Sequence, residues 1–333
     1  MIAQWLPRIW SSRNGFSQAL RPLSWLFCGL VILRRLLYRL RILPSRRLAV
    51  PVIVVGNLTV GGTGKTPLVI ALARLLREHG YRPGIVSRGY GGLARSWPQQ
   101  VRPDSDPVMV GDEPILIARQ TGCPMAVGPD RAEAGAALLR HHDCDILLCD
   151  DGLQHYGLQR DLEVLVIDGE RRFGNGFCLP AGPLREPVRR RQTVDFILCN
   201  GASAYSGELP MRYRIGDLVN LADPARRAPL SEWQGQAVHG VAGIGHPPRF
   251  FAMLERAGLQ VIRHPFADHH AYQAADLDFG DDLPVVMTEK DAVKCQRHAR
   301  ENFWYLPIEA QLPAGFAPHF LNRIEAIHGQ KPA

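Results

Sequence analysis

Apolar residues occur in short runs closed by glycine. These alternate with longer stretches in which apolar positions recur every three or four residues. Val52-Ile53-Val54-Val55 runs into a glycine-rich turn, and Pro67-Leu68-Val69-Ile70-Ala71-Leu72-Ala73-Arg74-Leu75-Leu76 then carries helical periodicity. Further strands are predicted from 82 into the Gly-rich loop that ends at 92, and over 124–128, 145–151, 163–168 and 196–199. Helices are predicted to open at Gly111-Asp112-Glu113-Pro114, running to about Gln120, and at Asp130-Arg131. Strand alternating with helix predicts an α/β domain with a mostly parallel sheet over 48–212. Between 205 and 235 the pattern loosens and turns polar. A smaller α/β C-terminal lobe is predicted over 213–310, and a closing helix and tail over 311–333. The glycines at 240, 243 and 245 have no lysine or acidic partner, so they read as close strand–helix packing.

Residues 1–47 follow a different pattern. The apolar run Leu23 to Leu33 has eleven residues and is cut off by Arg34-Arg35, whereas a span needs roughly 20. Leu36 to Leu43 continues it with interleaved arginines. This predicts an N-terminal amphipathic, membrane-associated helix lying in the interface of an anionic membrane. The alternative is a helix packed on the body of the protein. The first 50 residues hold nine arginines and no lysine, aspartate or glutamate, which exceeds the whole net charge of +7 and leaves the rest of the chain at −2. The basicity is therefore local, which argues against a nucleic-acid partner. Seven scattered cysteines form no C-x-x-C pair, favouring a reducing compartment over a zinc or disulfide framework.

The chemistry begins at Thr59-Val60-Gly61-Gly62-Thr63-Gly64-Lys65-Thr66. Strand, glycine-rich loop and helix in that order are the context of a P-loop. Backbone N–H groups turn toward a phosphate chain, and the helix N-terminus adds its positive end. Lys65 would reach the β- and γ-phosphates and the Thr66 hydroxyl would hold Mg²⁺. The pattern's usual first glycine falls on Thr59. Asp150-Asp151, at the end of an apolar strand, has the placement of the acidic pair that meets Mg²⁺. Transfer to an alcohol also needs a group to accept the hydroxyl proton. Asp112 could be that group or a helix N-cap. His269, after Asp268, could pair with it across two domains or be structural. Arg88, Arg131 and Arg185 could clamp phosphates or be solvated.

Asn57 with Gly61 to Pro67, Ser87-Arg88-Gly89-Tyr90-Gly91, Gly111-Asp112-Glu113-Pro114, Asp150-Asp151-Gly152-Leu153-Gln154-His155, Pro180-Ala181-Gly182-Pro183-Leu184-Arg185-Glu186 and Phe266-Ala267-Asp268-His269 appear in this order. Together they resemble the tetraacyldisaccharide 4′-kinase family over nearly the whole chain, and Thr59 resembles that family's own P-loop variant. The resemblance implies a P-loop core joined to a smaller lobe by a two-stranded linker, placed near Met211–Asn220 and Phe303–Gln311. It implies ATP- and Mg²⁺-dependent phosphorylation of the 4′-hydroxyl of an acylated glucosamine disaccharide 1-phosphate, at the cytoplasmic face of the bacterial inner membrane. Asp112 and His269 would act together as general base, with His269 preferred to the adjacent His270. Asp150 and Asp151 would handle Mg²⁺ and the phosphates. Glu113, Arg131, Gln154, Arg185 and Glu186 are implicated in the site, and Asn57, Arg88 and Tyr90 stand beside them on the P-loop and substrate sides. A monomer is the expected state. A membrane-recruited regulatory P-loop ATPase is the alternative, but such proteins carry a lysine where this chain has Val60. An assembly module with a vestigial nucleotide site is disfavoured by intact Lys65, Thr66 and Asp150-Asp151.

Overall fold

In a computed structural model the chain is described over residues 9–201 and 205–329. The first eight residues of the basic segment, with Arg8, and the last four of the tail lie outside the described residues.

The elements run α1 (Gly15–Ala19), α2 (Arg21–Arg39), β1 (Val52–Gly56), α3 (Lys65–Glu78), β2 (Pro83–Ser87), β3 (Gln99–Val101), α4 (Pro107–Val110), α5 (Asp112–Thr121), β4 (Met125–Val127), α6 (Arg131–His141), β5 (Ile146–Asp150), β6 (Leu162–Asp168), β7 (Phe196–Asn200) and β8 (Leu209–Ile215). They continue with β9 (Leu218–Asn220), β10 (Arg227–Ala228), β11 (Ala237–Ala242), α7 (Pro247–Arg256), β12 (Gln260–Pro265), β13 (Val285–Thr288), α8 (Glu289–Cys295), β14 (Phe303–Leu306), β15 (Ile308–Gln311) and α9 (Phe316–His328).

Nine strands form one sheet in the order β15-β8-β7-β6-β1-β5-β2-β4-β3. It is parallel from β8 to β4, with antiparallel edges at β15 and β3. Helices cover both faces, so the central strands are apolar throughout rather than alternating. Side chains still alternate by face. Ile53 and Val55 join the core beneath α3, α5 and α9, where Leu68, Leu72, Leu76, Ile115, Phe316 and Phe320 are buried. Val52 and Val54 join the opposite core with Leu138, Leu147 and Leu165. The carboxyl ends of β2, β5, β1, β6 and β7 lie along one edge, and ligands of open parallel sheets bind outside such an edge.

The second sheet has the order β10-β9-β14-β13-β11-β12. The chain passes between the sheets twice, from β8 to β9 and from β14 to β15. β8 and β15 pair antiparallel from Ile308↔Ile215 to Gln311↔Arg212, and Gly216 N donates to Pro307 O at 3.0 Å. After the second crossing α9 returns to the first domain, where Phe316 and Phe320 pack on Phe196.

α2 starts with Pro22 in its first turn, a position where a missing N–H costs nothing. It docks by a narrow edge. Buried Ser24 donates through Oγ to Cys178 O at 2.8 Å, and Phe27 and Cys28 pack on the second core. Much of its remaining apolar surface is bare, with Trp25 62% and Leu30 57% exposed, and Leu23, Leu26, Leu33 and Leu36 exposed beside them. Among the described residues no helix is long and apolar enough to cross a membrane.

Candidate active site

The P-loop is built by the sheet and held by the Pro/Gly-rich segment that follows β6. Thr59 forms an isolated antiparallel bridge with Leu184. Val60 N donates to Pro183 O at 2.9 Å and Arg185 N donates to Leu58 O at 2.7 Å. Thr59 is thus buried, bridged backbone, and glycine's freedom is used further on, at Gly61 (φ 92°) and Gly64 (φ 97°). Asn57 lies beneath the loop, donating through Nδ2 to Gly61 O at 3.3 Å, and its own carbonyl accepts from Gln154 Nε2 at 3.1 Å. From Gly64 the chain enters α3, so Lys65, Thr66 and the first-turn N–H groups face a cleft of about 970 Å³.

β5 lies beside β1, with Val55 level with Asp150. Asp150 is buried, and its Oδ2 accepts from Ser87 Oγ at 3.1 Å. Oδ1 is buried with no hydrogen-bond partner. Burial, then the nearby Glu113 and Asp151 carboxylates, push its pKa up to about 7 against the pull of Lys65 and Ser87. Asp151, in the left-handed region at φ 48°, lies 3.6 Å from Lys65 Nζ and accepts from Arg185 at 3.0 and 3.1 Å. Burial opposes its ionisation, but Lys65 and Arg185 hold its pKa below the usual value. Among the described residues no cluster of three or more His, Cys, Asp or Glu side chains forms a metal cage. Mg²⁺ is ordinarily held by one or two carboxylates plus substrate phosphates, and Thr66 and Asp150, which both line the cleft, fit that pattern.

The second domain closes the cleft. At the tip after β12, His269 (φ 60°) places Nδ1 3.1 and 3.2 Å from the Asp112 carboxylate oxygens. Asp112 is not an N-cap: Gly111 occupies that position, and Asp112 is a buried first residue of α5. Burial works to raise its pKa, but the His269 hydrogen bond and then Lys290 bring it down to about 2. The His269 pKa is raised, chiefly by the Asp112 hydrogen bond, against burial and Lys290. His270 turns away to Asp276, 3.1 Å from Nε2, and packs on Phe266 and Tyr272. The geometry therefore brings His269, and not His270, to Asp112.

The other residues marked by the sequence divide into two groups. Val60 to Thr66, Arg88, Tyr90, Glu113, Arg131, Gln154 and Arg185 line the cleft. Arg88 and Tyr90 are exposed there, with the Tyr90 ring 5.2 Å from that of His269. Arg131 is buried, donating to Pro129 O at 2.9 Å. Asn57 and Thr59 support the P-loop from behind. Glu186 does not reach the cleft wall: it is buried, accepts from the Tyr156 hydroxyl at 2.5 Å and lies 3.4 Å from Arg190.

Several lining residues carried no motif. Asp168 and Asn200 end β6 and β7, and their strand-end position on this edge is the signal that could have found them. Asp168 pairs with Arg171 at 3.1 Å and with Arg249 of the second domain at 3.6 Å. Tyr213 rises from the linker strand β8 against Gly64. Gly245, read from sequence as internal packing, lies against the P-loop: a Cβ there would sit 3.3 Å from Gly62 N. Lys290, in the first turn of α8 after β13, reaches Glu113 at 2.9 Å.

Comparison with known proteins gives one result throughout. The family described as LpxK, tetraacyldisaccharide-1-P 4′-kinase, matches residues 16–325. The tetraacyldisaccharide 4′-kinase of Nitrosococcus oceani is 54% identical over 324 residues, covering 97% of this chain and 95% of that one. The enzyme of the same name from Methylobacillus flagellatus is 52% identical over 327 residues, covering 98% and 97%. Among solved structures, the "apo" form of LpxK from Aquifex aeolicus in complex with ATP superposes with a TM-score of 0.76 at 28% identity, covering 94% of this chain and 99% of that one.

Proposed function

Because this chain belongs to the tetraacyldisaccharide-1-P 4′-kinase family, and is thus an ATP-dependent kinase of the 4′ position of a lipid A precursor, we propose that its Asp112–His269 pair takes the proton of the acceptor hydroxyl. ATP is the co-substrate, as in the Aquifex aeolicus complex. The observation that carries the assignment is the contact of His269 Nδ1 with the buried Asp112 carboxylate, made across the two domains beside the P-loop. With Nδ1 bound to Asp112, the hydroxyl would meet Nε2, beside which Lys290 Nζ stands at 3.5 Å. The 4′-oxygen forms its bond to the γ-phosphorus as the bond to the β–γ bridging oxygen breaks. ADP leaves, and the hydroxyl proton passes to His269 Nε2, with the resulting imidazolium stabilised by Asp112.

Lys65 and the P-loop N–H groups hold the phosphate chain, with Arg131 and Arg185 on the facing wall. Thr66 and Asp150 would hold Mg²⁺, which when bound neutralises charge on the transferring group, while Asp151 keeps Lys65 and Arg185 in place. Arg88 and Tyr90, exposed at the cleft mouth, face the lipid headgroup. Closure of the second domain over the first would exclude water and limit ATP hydrolysis.

The bare apolar face of α2 and its arginines suit a helix lying in an anionic interface at the cytoplasmic face of the inner membrane, with a monomer working on the headgroup plane. The protein is incubated with γ-labelled ATP and detergent-solubilised acylated disaccharide 1-phosphate. Label in the lipid is expected for the intact chain, and its loss in Asp112→Ala and His269→Ala supports the pair. Wild-type labelling in both variants would remove the assignment.

A further inference from the structure

Lys290 belongs to the second domain, yet its side chain ends among the charged groups of the cleft. It is the second residue of α8, whose start is fixed by the Thr288 cap. Nζ donates to Glu113 Oε1 at 2.9 Å and to Asp268 Oδ1 at 3.1 Å, and lies 4.0 Å from Asp112 Oδ2 and 3.5 Å from His269 Nε2. Glu113 and Asp112 are on α5 of the first domain, whereas Asp268 and His269 are on the tip loop of the second. The side chain is only 15% exposed.

We propose that Lys290 is a positioning residue for the transfer step: it draws Glu113 and Asp268 together as the domains close, and so sets His269 with Nδ1 on Asp112 and Nε2 facing its ammonium, where the acceptor hydroxyl would enter. The proposal rests on the Asp112–His269 reading above. Its ammonium also bears on the charge of the ring. Burial opposes the charge on Lys290, but Glu113, Asp112 and Asp268 keep it, raising its pKa. A second positive charge on His269, 3.5 Å away, is therefore disfavoured. The other charged groups facing the ring are Asp112 and Glu113 from α5, Lys294 from α8, 3.9 Å from Asp112, and Asp268 beside it. Asp112 favours the imidazolium and Lys290 the neutral ring, which is the form that accepts the hydroxyl proton. A residue that merely tied the domains together would change the rate equally at every pH.

The test uses the full chain with Lys290→Met and Lys290→Gln, two neutral variants that differ in packing, and Lys290→Arg, which keeps the charge. The His269 ring is titrated by ¹⁵N NMR, assigned with His269→Ala, and kcat/KM for the lipid is measured against pH. Both neutral variants are expected to raise the ring midpoint by about one pH unit, the lower end of the shift produced by a charge at this range. The activity limb moves with it, giving roughly a further tenfold loss below the wild-type midpoint, beyond the uniform loss from the missing Glu113–Asp268 tie. Lys290→Arg retains the wild-type midpoint. An unchanged midpoint in both neutral variants, whatever uniform loss accompanies it, overturns the proposal. If His269→Ala transfers at the wild-type rate, the base assignment falls by itself, and the ring midpoint still decides the role of Lys290.

Discussion

Replacing Gly64 by alanine probes how the second domain's linker holds the P-loop. Gly64 sits at φ 97°, ψ 24°, as the residue before α3. An added Cβ would lie 2.0 Å from Tyr213 Oη, 3.3 Å from its Cζ and 3.0 Å from Asn200 Nδ2. Tyr213 cannot swing aside freely, because it stands on β8 and accepts from Asn200 Nδ2 at 2.8 Å. Two costs add. Holding alanine left-handed costs about 1–2 kcal/mol, and overlap in a packed site costs about 1–3 kcal/mol. The loop escapes both by leaving its phosphate-binding shape, so ATP affinity falls by roughly 30-fold to several thousandfold. Tyr213→Phe removes the hydroxyl that clashes but leaves the backbone cost. In that background Gly64→Ala is expected to lose only about 5- to 30-fold. The assay is calorimetric ATP titration of the four proteins in a double-mutant cycle, with a coupling of about 1–3 kcal/mol in favour of the pair. Additivity within about 0.5 kcal/mol, the behaviour of independent sites, would refute the argument that Tyr213 buttresses the loop.

Three further outcomes follow from the same geometry. Because Asp112 raises the His269 pKa above 6.5, and only the neutral ring accepts a proton, transfer should fall as pH drops through that raised value. Asp112→Asn should move the limb to lower pH in a rate profile. Asp112 itself titrates at about 2 when folded against 3.8 otherwise. Its folded pKa is the lower one, so it contributes about 2 kcal/mol of stability above pH 4, lost as pH falls toward 2. Denaturant titrations of wild type and Asp112→Asn should converge over that window. On α2, Leu26→Glu with Leu30→Glu charges the exposed apolar face, and should cut binding to anionic vesicles in a flotation assay at least roughly tenfold. Their kcat on detergent-dispersed acceptor should be unchanged, and undiminished flotation would refute the interfacial role of α2.

The central architecture was legible because local signals agree with one another. Val52 to Val55 is apolar on both faces, the glycines follow at once, and helical periodicity begins at Pro67, so strand, loop and helix could be placed from the residues alone. Asp150 could be assigned to the edge beside the P-loop because four apolar residues precede it. Thr59 was harder. Its tolerance depends on the bridge to Leu184, 125 positions away, and such a partner leaves no local trace. Lys290 and Arg249 carry no local signal, and Gly245 reads as internal packing, for the same reason. Each acts across the gap between two sheets, and the lobe closure that brings them to the P-loop is a tertiary fact. Only the match of Asp268-His269 to the family motif favours His269 over the adjacent His270 in the sequence. The physical reason is tertiary: the positive φ of His269 turns one ring to Asp112 and the Asp276 carboxylate takes the other. The regulatory-ATPase alternative weakened at a single position, Val60, and the family match removes it.

The base assignment is tested most directly by a double-mutant cycle on Asp112 and His269, read in single-turnover transfer of label from ATP to the lipid acceptor. A positioned base contributes about 10²- to 10⁴-fold. Asp112→Ala and His269→Ala should each lose about that much with ATP affinity retained. Groups that act as a unit are strongly non-additive, so the double variant should be no slower than the poorer single one. Losses that multiply, or single variants that transfer at the wild-type rate, would contradict a shared role in taking the proton.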